Sequence, residues 1–565
     1  MGVAALLAFI TSMPQLYLCY VRGAEWTGSC AYLDPDELVY AAYTNALTDG
    51  RPRRNDPYTG KDGGQFETYF SIQFLPGYAV ALTSRILNIS VNTAFIFLLP
   101  LATFGACLVV WRILVDVTQD AELAVAAAIG VIWLGTAAAH NPLHILWGSE
   151  VGYDLFPFLR RYIPALPFPL FLASSLFVWR ALTRNTAWAV LAGLSFAALV
   201  YSYYYLWTAA ASWFGVIILF WFIARPQERQ KVWRVFGILV AIGGSALVPY
   251  AWLLMHRVQT IDKAQSMEIT HAPDLLRAPE LYGMLLIGVL AYCVRKRKAS
   301  WRDPKILLIA SFAIAPFLTF NQQVLTGHSL QPFHYEEFVT NYYVVLAGFL
   351  MLAIVSNQVP RRVLHYLAIA GLFISFTLGI QAARKTAAMN IHLDEARAVA
   401  LRLGQESPQG TVFASDVLLT HLLPTSSRNP VLWARYLYAF SNVDSMGQKR
   451  RFYQYLYYSG FDEARLAQAL QADFTARWEL FGAERANPVL ARSAQSVTEE
   501  DIKNAAREYG AFVASFDSGV AGDPLLSYAV VSTNDDLSNL DRWYERGPVE
   551  RINDFLVYRL QLKTR

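Results

Sequence analysis

The sequence predicts a polytopic α-helical membrane protein with about eleven transmembrane helices and a C-terminal soluble α/β domain on the outer face. Three observations carry this. Of 565 residues, 55% are hydrophobic and only 16% are charged, against about 25% charged in an average soluble chain. The charge is also unevenly placed: Thr93 to Val110 holds none, whereas the chain after residue 385 is dense in Asp, Glu, Arg and Lys. Finally, Lys and Arg gather in alternate loops. The net charge of +4 is small and comes from those loops, so no basic face for nucleic acid is expected.

A membrane span needs ~20 mostly apolar residues. Apolar segments occur at 3–20, 93–115, 122–139, 163–182, 187–204, 206–224, 235–255, 281–294, 306–322, 339–355 and 363–383. Ala4 to Tyr20 lacks the basic start and small-residue cleavage site of a signal peptide, so it reads as the first helix. One set of loops contains Arg112, Arg180, Arg184, Arg225, Arg229, Lys231, Arg234, Arg295 to Lys298, Arg302, Lys305, Arg361 and Arg362. The opposite short loops hold far fewer cations. The positive-inside rule then places 21–92, 140–162, 256–280 and 323–338 outside, together with the C-terminal domain. The expected organisation is a membrane domain over 1–385, with a long first outer loop at 21–92, and an extracytoplasmic domain over 386–565. This is the pattern of a multi-pass plasma (inner) membrane protein surrounded by membrane lipids.

Within the tail, Leu393 to Leu403 has helical amphipathicity. Gly410–Ser415, Ala511–Phe516, Tyr528–Ser532 and Phe555–Arg559 read as short strands. Trp433–Tyr438 and Arg450–Tyr458 are aromatic and basic, suited to a membrane surface, an acceptor glycan or ordinary packing. Four cysteines are too few for a disulfide framework, although Cys19 and Cys30 flank the start of the first loop and could bridge. There is no nucleotide-binding glycine loop, CxxC pair, GxSxG elbow or repeat period.

Chemistry concentrates in the outer loops. The first carries Asp34, Asp36 and Glu37, followed by apolar residues at helical spacing to Leu47 with Tyr40 and Tyr43 interleaved. This segment reads as an interfacial helix starting at the acids. One such acid is ordinarily a helix cap; three clustered at a membrane surface suit a general base, a divalent-cation site or both. The second outer loop holds His140, His144, Glu150, Asp154, Arg160 and Arg161. The two arginines lie opposite the positive side, where they can bind a carrier phosphate or snorkel to lipid headgroups. His140 and His144 are four apart but separated by Pro142, and two hydrogen-bonded histidines are the plainer reading than a metal pair. The fourth outer loop groups Gln323, His328, Gln331, His334, Tyr335, Glu336 and Glu337 between two spans. Polar groups so placed line a site or a cavity unless the loop is simply wet, and amides with aromatics suit a sugar or pyrophosphate head group. Tyr201 to Trp207 reads as an interfacial aromatic belt or a stacking platform for sugar.

This layout resembles the GT-C superfamily of polyprenyl-phosphate-sugar glycosyltransferases: many spans, a long first outer loop with paired acids, and an outer soluble domain. Asp36-Glu37 with Tyr40 is similar to the acidic pair of protein mannosyltransferases and lipid A aminoarabinose transferases. The resemblance implies an inverting hexosyl- or pentosyltransferase of the cell envelope. Asp36 would be the base, Glu37 its support and Asp34 an alternative register. Arg160 and Arg161, with His328, Gln331, His334 and Tyr335, would receive the polyprenyl-phosphate-linked donor. Tyr40, Glu150, Asp154 and Glu336 would meet a glycan, lipid or protein acceptor. The resemblance fixes no cofactor; a divalent cation such as Mg2+ or Mn2+ is left open, with Asp36, Glu37, His140 and His144 as its available ligands. Rival readings are a transporter or flippase, or a polymerase or ligase, of lipid-linked glycans. The sequence lacks the WWD signature of oligosaccharyltransferases.

Overall fold

The computed structural model describes residues 1–138, 160–258, 267–355, 360–406, 410–440, 443–486 and 496–563. They form two compact units, each assembled from distant stretches of chain. The first comprises Met1–Tyr17, Phe95–Trp252 and Thr270–Ala387; the second comprises Leu18–Ala94, Leu253–Ile269 and Ala388–Arg565.

The first unit is helical. The predicted spans at 93–115, 206–224, 235–255, 281–294, 339–355 and 363–383 lie within helices, whereas 3–20 is divided between Gly2–Thr11 and Met13–Arg22. Among the described residues, seven helices are long and apolar enough to cross a membrane: Val91–Thr118, Tyr204–Ala224, Pro226–Met255, Ala278–Arg295, Pro304–Thr326, Pro332–Ile354 and Arg361–Glu406. The N-terminal pair, bent by 50° after Thr11, would make eight. The helices at Ala121–Gly135, Phe168–Thr183 and Trp188–Val200 are shorter. The chain is therefore a polytopic membrane protein. Helix Arg361–Glu406 runs 46 residues without a break, and the division between the two units falls within it, at Ala387/Ala388.

Small residues let these helices approach closely, since lipid provides little hydrophobic drive between them. A Cβ on Gly283 would lie 2.2 Å from the Ala313 carbonyl oxygen, and one on Gly135 would enter the Tyr342 ring. Trp213 stacks on Phe312 at 4.9 Å, and its ring N–H donates to Ser311 at 3.0 Å. Burying the indole thus leaves no orphaned donor. A charged cluster also joins these helices. Asp116, nearly fully buried, receives Arg180 at 2.6 Å, with Arg112 at 3.1 Å and Arg184 at 3.3 Å. Arg180 also lies over Trp188 at 4.6 Å.

The second unit is built on a mixed sheet in the order Thr411–Ala414, Leu526–Ser532, Phe555–Leu562, Tyr544–Arg546, with Glu550–Ile552 also pairing to Phe555–Leu562. The first pairing is parallel and the others antiparallel. Three expected strands are present, but Ala511–Phe516 instead closes the helix Glu499–Ala514. A Thr498–Asp501 capping box starts that helix, and Ile502, Ala505, Ala506 and Tyr509 are its buried stripe. Phe516 then stacks on Tyr457 at 3.9 Å. The local run looked extended only when read without its helical upstream.

The first-loop helix, Asp36–Thr48, is present where the spacing put it. It is buried from Glu37 through Thr44, and again at Ala46 and Leu47. It packs on helices Leu75–Leu87 and Val417–Ser426, so it is a core helix of this unit and not an amphipathic helix with one open face. Cys19 and Cys30 are not joined by a disulfide.

Replacing Asp116 by Ala leaves Arg180 and its neighbours without their carboxylate. Breaking a buried pair from one side costs roughly 3–5 kcal/mol. Thermal unfolding in detergent should show a clear loss for Asp116→Ala, and a smaller one for Arg112→Ala, whose side chain is 43% exposed.

Candidate functional site

In the second unit the three first-loop acids have different surroundings. Asp34 Oδ1 accepts the Asp36 backbone N–H at 2.8 Å, and its carbonyl accepts the Glu37 N–H at 3.0 Å. Asp34 thus secures the first turn of the helix, as short acidic side chains do at helix starts. Glu37 is fully buried and accepts the Leu33 N–H at 2.7 Å, closing the turn from the other side. Asp36 is partly exposed, and its Oδ1 accepts a hydrogen bond of 2.7 Å from the Tyr436 hydroxyl. Tyr40 is buried, edge-on to Phe70 at 5.9 Å.

Around Asp36 the C-terminal segment supplies a set of polar and aromatic groups that sequence reasoning did not assign. Tyr436 packs on His421 at 4.8 Å and faces Tyr438 at 6.4 Å. Tyr438 in turn faces Trp478 at 6.4 Å, and Arg435 lies over the same indole at 5.1 Å. Burial, together with the Asp36 charge, holds the Tyr436 phenol well above its ordinary range, so it remains a donor. Burial, then the nearby Arg435 charge, pushes His421 down to about 3. Glu479 is raised to about 8 by burial, which outweighs the opposing pull of Arg435 and a hydrogen bond from Trp433. Burial disfavours the charge on Arg435, yet Tyr436, Tyr438, Asp36 and Glu479 together raise its pKa. The signal in the sequence was the aromatic and basic run Trp433–Tyr438; its pairing with the first loop was not visible there.

In the first unit, Arg160 and Arg161 are both buried. Arg160 donates to the Ile163 carbonyl at 3.1 Å and lies over Phe338 at 5.5 Å. Arg161, 1% exposed, donates to the Phe95 carbonyl at 3.1 Å. Neither is placed like a snorkelling arginine, whose head group reaches for the interface. The fourth loop folds into Pro332–Tyr335 and a π-helical turn at Glu336–Thr340, a geometry often found at functional sites. Before it, Gln331 has φ +24°, a sparsely populated backbone conformation for a non-glycine residue. His334 Nδ1 pairs with the Tyr203 hydroxyl at 3.3 Å and its ring meets Tyr205 at 4.5 Å; the Tyr205 hydroxyl donates to Gln331 at 3.4 Å. Tyr335 shares a hydroxyl contact with Thr208 at 2.8 Å and accepts from Gln322 at 2.7 Å. Arg160 is close enough for its charge to act on His334 and Glu337.

Gln331, His334 and Tyr335 therefore come together, on a platform of Tyr203 and Tyr205 from the predicted aromatic segment and of Thr208 just after it. His328 does not join them: it is exposed, with Nδ1 at the Thr326 carbonyl, 2.7 Å away. Glu336 is paired to Arg277 at 2.9 Å, with Asp274 on the same guanidinium. His140, His144, Glu150 and Asp154 lie outside the described residues. Among the described residues no three His, Cys, Asp or Glu side chains are grouped to hold a metal ion.

The helices define the class: a polytopic membrane protein. The fold is shared with ArnT from Cupriavidus metallidurans in the apo state, at TM-score 0.50 and 11% identity over 96% of this chain and 97% of that one. The structure of the same protein bound to undecaprenyl phosphate gives TM-score 0.49 and 11% identity, over 98% and 97%. No family model matches the sequence, and no curated protein does.

A raised Glu479 pKa links stability to pH. The folded state binds its proton more tightly than the unfolded chain does, so this contribution is full below the ordinary value of 4.5 and is lost as pH rises through about 8. Thermal stability of the wild type should decline across that window. Glu479→Gln, which cannot ionise, should show a flatter profile.

Proposed function

We propose that this protein is an integral inner-membrane glycosyltransferase that transfers a sugar from a polyprenyl-phosphate donor to an acceptor on the outer face, where its C-terminal residues also lie. The observation that carries the reading is the separation of roles among the first-loop acids. Asp34 and Glu37 hold the backbone of the helix start, whereas the Asp36 carboxylate is partly exposed and oriented by the Tyr436 hydroxyl. A carboxylate so oriented can take a proton from an acceptor hydroxyl. The fold shared with ArnT supports the same class of chemistry.

The transfer is inverting. As Asp36 accepts the proton, the acceptor oxygen forms its bond to the anomeric carbon from the face opposite the leaving group. The bond from that carbon to the phosphate oxygen breaks, and the lipid phosphate departs with the electron pair. Arg160 and Arg161 are the cations suited to a carrier phosphate, because a guanidinium offers charge and paired donors to phosphate oxygens. Gln331, His334 and Tyr335 with Tyr203 and Tyr205 supply amide, imidazole and aromatic faces suited to the donor head group. Should a divalent cation take part, Asp36 and Glu37 are the first-loop carboxylates that would hold it.

Purified protein in lipid should consume a member of a panel of polyprenyl-phosphate sugars. Loss of general base catalysis costs about 10²- to 10⁴-fold, so Asp36→Asn should lower turnover by that order without loss of folding. Unchanged turnover in this variant would remove Asp36 from the role. Arg160→Ala should raise the KM for the donor more than it lowers kcat, by roughly ten- to a hundredfold for a lost charge-assisted hydrogen bond. Binding of lipid-linked glycan without consumption of any donor would favour transport.

A further inference from the structure

Beside Asp36 lie two polar atoms that the fold buries without using. Arg435 Nε and Glu479 Oε1 are both shielded from solvent and have no hydrogen-bond partner among the described residues. An unmade hydrogen bond on a buried polar atom is costly, and each such atom calls for an explanation, of which a bound partner is one. The two atoms are complementary in kind: a guanidinium N–H can only donate, and a carboxyl oxygen can accept. They flank an aromatic wall, with Arg435 over the Trp478 ring at 5.1 Å and Tyr438 at 6.4 Å from the same ring. Tyr436 joins this group to Asp36 through its 2.7 Å hydrogen bond, and Asp36 and Glu479 are the carboxylates whose charges act on Arg435.

We propose that Arg435, Glu479, Tyr438 and Trp478 form a subsite for an uncharged sugar ring of the acceptor, next to Asp36. The proposal deepens the transferase reading and rests on it only for the word acceptor. Adjacent hydroxyls of a pyranose or furanose both donate and accept, which satisfies Arg435 Nε and Glu479 Oε1 together; the apolar face of the ring rests on indole and phenol. A phosphate is disfavoured. The single guanidinium already interacts with the Asp36 charge, which also repels an anion. With Glu479 held neutral up to about pH 8, its hydroxyl proton also serves a sugar oxygen, and Asp36 with Arg435 leave the subsite close to neutral.

The test measures saccharide binding by the full-length protein in lipid nanodiscs with no donor present. The probes are short neutral hexose and pentose oligosaccharides and the same sugars carrying one phosphate, read by saturation-transfer NMR and by quenching of tryptophan fluorescence. The expected result is saturable binding of a neutral saccharide, weakened about tenfold for each hydrogen bond removed in Glu479→Leu or Arg435→Met. The quench should be lost in Trp478→Phe, and binding should survive in Asp36→Asn. Preference for the phosphorylated probes, failure of every neutral saccharide to bind, or wild-type affinity in both Glu479→Leu and Arg435→Met would overturn the subsite. The wild-type comparison alone decides between neutral and phosphorylated ligands, even if a variant fails to fold. Donor consumption measured in parallel separates the two ideas: turnover without neutral-saccharide binding defeats only the subsite, and saccharide binding without turnover on any donor defeats only the transferase reading.

Discussion

The hydrogen bond from Tyr436 to Asp36 joins residues 400 positions apart, and the chemical reading of the second unit depends on it. The first-loop helix would present an ordinary acidic start if it stood alone. Packed on Val417–Ser426 and followed by the turn at Arg435–Ala439, it brings a carboxylate to a phenol, a guanidinium and an imidazole. Burial then fixes what each can do. It keeps Tyr436 a donor and His421 neutral, and it makes Glu479 a weak acid. A shared low-dielectric surrounding, more than any single contact, distributes the protons among these groups.

The first unit solves a different problem. Its polar residues lie on helices that must otherwise be apolar, so each has to find partners inside the protein. Arg161 does so at the Phe95 carbonyl, Tyr335 at Thr208 and Gln322, and Asp116 among three arginines. The π-helical turn at Glu336–Thr340 shifts the register of this helix just after His334 and Tyr335. An extra residue in one turn redirects the side chains on either side, which helps Tyr335 and His334 face the Tyr203–Tyr205 segment instead of the lipid.

Several parts of this arrangement were legible in the sequence. The apolar segments coincide with helices because spanning lipid imposes one pattern, a long run without charge, that needs no tertiary partner. The start of the helix at Asp36 was legible for a similar reason: Asp34-Pro-Asp-Glu is a local signal. Ala511–Phe516 misled because a short apolar run has no period long enough to separate strand from helix. Tyr40 carries the same lesson, since an aromatic beside an acidic pair can be ligand or core, and here its ring is spent on Phe70.

By itself the sequence determined what is local: which segments are apolar enough to enter a membrane, where the first-loop helix begins, and that acids, arginines and a polar loop stand near the segment ends. Only the tertiary structure decided which of three neighbouring acids holds backbone and which meets a side chain. It also decided that the first loop and the C-terminal stretch form one compact unit. The physical reason is that hydropathy and capping act over a few residues, whereas a hydrogen bond such as that of Tyr436 with Asp36 depends on folding distant segments against each other.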